Sequence, residues 1–402
     1  MKDFSRSLKL LEAARRDRGQ PEYTMLANGQ QIQCKNASER HWYDEFTEAL
    51  QKKQLRPQEV SFRKLFEQVT PDGREVVDSW RPSSGGGGIN LQEAGVNTAA
   101  FSAISGQIVF STVLEAFQNP LFISDLVCPA VQSEFESEKI PGVSGVGDVM
   151  EGIGEGMPYP TAGLTGSYVE TPATTKRGTI VPVTKEALFF DRTGLILQRA
   201  ASVGEYLAIN KEKRVLDTVL GITTSYKRNG GTAQATYANS HTDGDFDNLL
   251  ASNALVDWTD IDAVQQNLAA VTDPDTAEPV AVLATQLVVP LALQGTAYRI
   301  LNATEIRHSA GGVETLSSNP LRPGYQLITN QYVKARTSSD STWFFGDFRR
   351  AFAYMQNWGI TSVSMPAGSH LEFTQDVVQA YKVSERGTPA VREPRYVQKC
   401  TA

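Results

Sequence analysis

Residues 179–221 read TIVPVTKEALFFDRTGLILQRAASVGEYLAINKEKRVLDTVLG, an extended segment that runs straight into one long helical stretch. Just upstream, two β-favouring runs, Ser167–Thr171 and Gly178–Val183, flank the turn-prone Pro172-Ala173-Thr174-Thr175, which predicts a projecting hairpin. Asp191 is a candidate N-cap. From Thr193 to Leu220 no proline intervenes, and Leu, Ala, Glu, Lys and Arg dominate. That composition predicts unbroken helix, about 40 Å long at about 1.5 Å per residue.

The faces of this helix differ. Leu197, Ala201, Gly204, Ala208, Val215 and Val219 recur at helical spacings, so one stripe packs on the protein body. The small residues at 201, 204 and 208 allow another backbone to come close. Leu195, Ile196, Val203, Tyr206 and Leu207 make the first half apolar almost all round, whereas Lys211, Glu212, Lys213 and Arg214 interrupt the second. The expectation is a covered first half and a partly wet second half. A hairpin without its own core, joined to such a strut, fits a protein whose sister copies supply the missing contacts. An ordinary core helix after an ordinary hairpin is the competing reading.

The 402-residue chain is 41% hydrophobic, enough for a sizeable core over two or three domains. Its formal charge of −7 leaves no overall basic excess to grip nucleic acid by counterion release. Cys34, Cys128 and Cys400 are too scattered for a disulfide framework or a CxxC metal site, which suits a reducing compartment. The longest apolar run, Ala281–Leu293, contains Thr285, Gln286 and Pro290 and is too short to cross a bilayer. The opening MKDFSRSLKLLEAARRDRG carries charges where a signal peptide needs its apolar centre. No membrane role is expected.

Residues 1–82 hold 15 Lys+Arg and 13 Asp+Glu, net +2; of the chain's 38 and 45, 23 and 32 remain for residues 83–402, net −9. This shift marks a boundary. Helices are predicted at Ser5–Arg16, Ser38–Lys53 and Pro57–Gln68, and Trp42, Phe46, Leu50, Phe62, Leu65, Phe66 and Trp80 give enough apolar mass for a small helical domain. Its role is either a scaffold or accessory surface, or a solvated appendage. Arg15, Arg16 and Arg18 surround Asp17 and read as a solvated helix end. Ser83–Gly88 is a linker, and no GK[ST] follows to make it a phosphate loop. Thr98–Phe117 is predicted as a buried apolar helix.

The glycine-rich Pro141–Tyr159 contains GVSG but lacks the last glycine of GxSxG, so it reads as arm or loop and not as a nucleophile elbow. Tyr226–Asn253 is loop-like. Asp243, Asp245 and Asp247 alternate as calcium ligands would, yet Asn248 and Ala254 stand where an EF-hand needs Gly and Glu. His41, His241, His308 and His370 are dispersed, outside any HExxH or HxE pattern. From Trp258 an α/β rhythm begins. Thr259 with Asp262 resembles a capping box opening helix Asp260–Val271, followed by strand Ala281–Val289, helix Leu291–Leu301 after Pro290, a loop-rich His308–Arg322 and strand Tyr325–Thr329. The closing section predicts strands Trp343–Gly346, Ala351–Trp358 and Ile360–Met365, with a turn at Asn357-Trp358-Gly359, and an alternating strand Phe373–Glu385.

Taken in this order, about residues 90–402 resemble the major capsid protein family of tailed bacteriophages, with its Hong Kong 97 shell fold. The likeness rests on GTIVPVTKEAL (178–188), AVLATQLVVPLAL (281–293), WFFGDFRRAFAY (343–354) and VVQAYKVSERGTPAVREP (377–394). It implies an α+β fold with an extra N-terminal helical segment (1–82), a linker and N-terminal arm (83–158), an extended hairpin loop (159–190), a spine helix in a peripheral domain (191–257), a compact axial α/β domain (258–340) and a closing peripheral sheet (341–402). In that family the hairpin lies over a neighbouring subunit.

The resemblance further implies self-assembly through hexamers and pentamers into an icosahedral head around double-stranded DNA, touched weakly and non-specifically, with portal and decoration proteins as partners. It places the protein in the virion, after assembly in the host cytoplasm, with no enzymatic activity, cofactor or metal. Inter-subunit contacts are expected at Lys176 and Arg177, near the hairpin tip, and at Tyr168, Glu170, Glu385 and Arg386. Some relatives cross-link a hairpin Lys to an Asn with help from a Glu; Val377 and Ser384 occupy those two places here, so Lys176 is expected to form no such bond. An encapsulin-type nanocompartment shell around an enzyme cargo is the alternative on the same fold, and a hydrolase is a remote one.

Overall fold

The computed structural model describes residues 4–26, 31–57, 60–70, 73–79, 95–141, 157, 167–241, 246–273, 278–310, 313–319, 321, 324–365 and 376–402. In chain order the elements are α1 (Phe4–Arg16), β1 (Glu22–Met25), β2 (Gln31–Cys34), α2 (Ala37–Gln51), α3 (Phe62–Val69), α4 (Gly73–Ser79), α5 (Gly95–Phe117), α6 (Ser124–Val127), β3 (Ala130–Gln132), β4 (Lys139–Pro141), β5 (Tyr168–Glu170), β6 (Thr175–Thr184), α7 (Lys185–Phe189) and the spine helix α8 (Thr193–Val219). There follow β7 (Leu249–Leu250), α9 (Trp258–Ala269), β8 (Gln286–Val289), α10 (Gln294–Asn302), β9 (Glu305–Ala310), β10 (Val313–Ser318), β11 (Gln326–Thr329), α11 (Gln331–Thr337), β12 (Trp343–Gly346), α12 (Phe348–Ala351), β13 (Phe352–Ser364), β14 (Val377–Val391) and β15 (Val397–Cys400). They form two compact units, one of Met1–Asn119, Lys176–Ile209 and Trp358–Arg386, the other of Pro120–Thr175, Asn210–Asn357 and Gly387–Ala402.

In the first unit, side-chain caps start the short helices. Asn36 accepts the Glu39 N–H at 2.7 Å to open α2, and Ser61 accepts the Lys64 N–H at 3.2 Å to open α3; each such cap contributes about 1 kcal/mol. The amphipathic faces they launch are buried, with Trp42, Phe46, Phe62, Leu65 and Phe66 at most 4% exposed. This core continues into α5, whose Ile104, Ile108 and Val113 are fully buried, and into the first part of α8. Where α8 crosses α5, a Cβ on Gly204 would stand 2.3 Å from the Val113 carbonyl oxygen. The expectation that small residues admit a neighbouring backbone is met at this glycine. The strand portions here lie in the order β13-β14-β6.

The second unit is built on a five-stranded mixed sheet in the order β11-β8-β12-β15-β7. The β11–β8 and β15–β7 pairs are parallel, whereas β12 runs antiparallel to both β8 and β15. Burial on both faces explains the continuous apolar runs Leu287-Val288-Val289 and Trp343-Phe344-Phe345, all fully buried. One face packs on Val215, Leu216 and Val219 of α8, the other on α9 and α10.

Several sequence expectations change. Ser167–Thr171 and Gly178–Val183 do not form a hairpin with each other: β5 pairs antiparallel with β4, and β6 lies beside β14. The backbone around Pro172 is committed elsewhere, since Thr171 N–H donates to Glu138 O at 2.9 Å and Thr174 N–H to Glu136 O at 2.8 Å. The hairpin legs are therefore β4 and β5, and the residues joining them, 142–166, lie almost wholly outside the described residues, as does the Ser83–Gly88 linker. No turn breaks β13 at Asn357-Trp358-Gly359; the Asn357 amide instead donates to Ser133 O and Phe135 O, both at 2.9 Å. Helix α9 begins two residues early, because Asp257 with Asp260 forms the capping box. Strand β8 is confined to Gln286–Val289, and the section read as a loop-rich insert contains the β9–β10 hairpin. The sequence also gave no sign of the β1–β2 hairpin.

Candidate assembly surfaces

The six residues expected at subunit contacts fall into two groups. Tyr168 and Glu170 lie on β5 in the second unit, where Lys139 serves both: its ammonium is 4.4 Å from the Tyr168 ring centroid and 3.8 Å from the Glu170 carboxylate. The other four lie in the first unit. Lys176 and Arg177 are not at a hairpin tip but at the exposed start of β6. Lys176 and Arg386 both gather at the Trp358 ring, 5.8 and 5.6 Å from its centroid, contacts worth about 0.5–1 kcal/mol each at a wet site. Glu385 is buried on β14, withdrawn from the surface where the sequence reading placed it. Val377 and Ser384, the positions aligned with the cross-linking pair, are buried too.

The site that sequence reasoning missed is a groove of about 540 Å³ between β6 and the first part of α8, lined by Ile180, Pro182, Leu195, Arg199, Val203 and Tyr206 among others. Strand periodicity creates one wall: Val181 and Val183 point into the core, so Ile180 and Pro182 point out. Helical periodicity creates the other, since Leu195, Arg199, Ser202 and Tyr206 lie opposite the buried Leu197, Gly204 and Ala208. Ile180 is 54%, Leu195 41% and Tyr206 72% exposed. The first half of the spine helix is thus apolar almost all round, as the sequence indicated, but one side of it is open within the subunit. That surplus apolarity is the available signal, and the cover it predicts for this half is missing on this side within the subunit.

The second half of α8 departs from expectation at two of its four charged residues, Lys211 and Glu212. Glu212 is fully buried. Its carboxylate accepts the Ile123 N–H at 3.0 Å and the Ser124 N–H at 2.9 Å, and the Asn330 side-chain amide at 3.0 Å. Burial raises its pKa above the ordinary carboxyl value, opposed by the hydrogen bonds it accepts. Lys211, also buried, donates to Asp125 at 2.7 Å. Two of the four charges are thus internal fasteners holding the α6 and α11 segments to the spine, while Lys213 is exposed and Arg214 half-buried, as a partly wet half requires.

Among the described residues, the remaining chemistry-bearing side chains gather no site. His41 is exposed beside Glu45; His241 is buried, its Nε2 3.0 Å from the Asn248 side-chain oxygen and its ring stacked on Phe246. His370, the His308 side chain, Asp243 and Asp245 lie outside the described residues. Cys34, Cys128 and Cys400 are free and buried, and burial pushes the Cys400 thiol up to about 12 and the Cys34 thiol up to about 11. Among the described residues no His, Cys, Asp and Glu cluster could hold a metal ion, and no helix is long and apolar enough to cross a membrane.

The family described as phage capsid protein matches residues 168–400, from the hairpin leg β5 through the last strand, so the chain belongs to that family. It is a shell-forming structural protein of a phage capsid, and its spine helix, mixed sheet and closing strands make an α+β subunit. No curated protein sequence matches. Similar solved structures include a virus-like particle from Pyrococcus furiosus, 11% identical over 73% of this chain and 98% of that one, with a TM-score of 0.40. A structure from Mycobacterium phage Ogopogo is 13% identical over 70% and 93%, TM-score 0.39. The capsid of a native GTA particle is 12% identical over 70% and 90%, TM-score 0.39.

Proposed function

We propose that copies of this chain associate through hexamers and pentamers into the icosahedral head of a tailed double-stranded DNA phage, assembling in the host cytoplasm and enclosing the genome. The observation that carries this reading beyond family membership is the open groove along β6 and α8. A chain that leaves Ile180, Leu195 and Tyr206 together in water has an apolar face to cover, and sister copies at high local concentration supply the cover.

The segment 142–166 is the occupant that fits best. Its sequence carries Asp148, Glu151 and Glu155 and no Lys or Arg, with Val143, Val146, Val149 and Ile153 between them. The first unit presents Arg199 in the groove, and Lys176 and Arg177 on the same strand as Ile180. Apolar surface with acidic flanks in one copy thus complements an apolar groove with basic flanks in the next. Each contact is modest, and repetition across the lattice supplies the affinity. The net charge of −7 suits a container that holds DNA without gripping it; portal and decoration proteins are the further partners of such a head.

Electron microscopy of the protein expressed alone tests the proposal. Shells or capsomers are expected. A protein that stays monomeric under every assembly condition removes the reading, and particles from the native source that hold protein cargo instead of nuclease-protected DNA replace the phage head with a nanocompartment.

A further inference from the structure

The N-terminal segment packs as part of the body and not as an appendage. Phe62 and Phe66 of α3 meet the Phe101 ring of α5 nearly edge-on, with centroids 6.4 and 5.1 Å away. The start of α3 and the start of the spine helix are tied by linked hydrogen bonds, in which Asp191, the N-cap candidate, accepts side-chain hydroxyls and, among the described residues, no helix N–H. Phe62 N–H donates to the Thr193 hydroxyl in a buried bond of 2.9 Å, the Ser61 hydroxyl donates to Asp191 at 2.8 Å, and Thr193 donates to the same Asp191 carboxylate at 2.8 Å. Arg63 donates to the Phe189 carbonyl at 2.9 Å and lies over its ring at 5.7 Å. One apolar cluster runs from Phe4, Phe46 and Leu65 to Ile104, Leu197 and Tyr381.

We infer that residues 4–79 are a permanent part of the shell subunit, retained in the finished shell, and not a scaffolding extension removed during maturation. A segment destined for removal must leave a body that is complete without it. Here departure would strip one side of Phe101 and take away the Phe62 N–H that the Thr193 hydroxyl accepts. Loss of a shared apolar cluster and of bonds at the first turn of the spine leaves an incomplete core, with a new hydrophobic face on every subunit.

The word "shell" here rests on the function proposed above, so the test has two readouts. In the first, a sequence-specific protease site is placed within Ser83–Gly88 of the full-length protein, and the purified chain is cut there. The two fragments are expected to co-elute in native size exclusion and to unfold in a single thermal transition. Release of the N-terminal fragment without denaturant overturns the inference, whatever the protein's ability to form shells. In the second readout, intact mass is measured on subunits from assembled particles. Chains retaining residues 4–79 are expected in filled as in empty particles, and subunits beginning beyond Ser79 overturn it. Co-elution with no particles under any condition supports the shared core and counts against the shell reading alone.

Discussion

Asn330, the N-cap of α11, donates its side-chain amide at 3.0 Å to the carboxylate of Glu212, a fully buried residue on the spine helix. The same carboxylate accepts the N–H groups of Ile123 and Ser124 at the start of α6. One side chain therefore satisfies donors at the beginnings of two other helices. Glu212→Ala should orphan both backbone donors, at about 1–3 kcal/mol for each left unpaired, read as a lowered thermal midpoint.

The same residue predicts a pH dependence. Burial holds the folded-state pKa of Glu212 above its ordinary 4.5. The protonated form is thus favoured in the fold, and the stability from this group is fully present below the unfolded value and lost as pH rises through the folded one. The midpoint difference between wild type and Glu212→Gln, measured from pH 4 upward, should shift against the wild type across that window. A difference constant with pH would show that Glu212 does not titrate as its burial dictates.

At the crossing of α8 and α5, Gly204 has no room for a side chain: a Cβ would stand 2.3 Å from Val113 O and 3.1 Å from the Ala116 Cβ. Helix backbone cannot yield as a flexible side chain would. Gly204→Leu should destabilise the folded subunit by about 1–3 kcal/mol through overpacking, seen as a lower midpoint in urea with unchanged slope.

The groove makes the opposite prediction. Tyr206 is exposed, so Tyr206→Asp should leave subunit stability within about 0.5 kcal/mol while abolishing shells in electron micrographs. Wild-type assembly in this variant would show that the open face of the spine is not an interface.

Lys176→Glu combined with Arg177→Glu should also impair assembly of a normally folded subunit, because two exposed cations on the strand that forms one wall of the groove would become anions facing acidic partners. The defect should be largest in low salt, where screening is weakest. Unimpaired shells in low salt would assign these residues no part in assembly.

Much of the fold was legible in residue order. An uninterrupted run of good helix formers from Thr193, closed by Gly221, defined the spine helix to within one residue at each end. The apolar blocks Leu287–Val289 and Trp343–Phe345 announced buried strands, and the small residue at 204 announced a close helix crossing. Local periodicity is enough for these, because the signal is contained in the element itself. The interface residues were less legible. Lys176 and Arg177 were placed at a tip because Pro172–Thr175 has turn chemistry, and nothing local says that its backbone is claimed by residues 136–138.

The sequence by itself determined membership in the capsid family, the spine helix and the apolar surplus on its first half. Only tertiary structure decided which partners each strand takes, that Glu212 is an internal fastener, that Glu385 is hidden, and that the face along Ile180, Leu195 and Tyr206 stays open. The physical reason is that strand pairing and burial are settled by residues far apart in the chain. A charge on a helix is wet or buried, and an apolar stripe covered or bare, according to what the rest of the molecule brings against it.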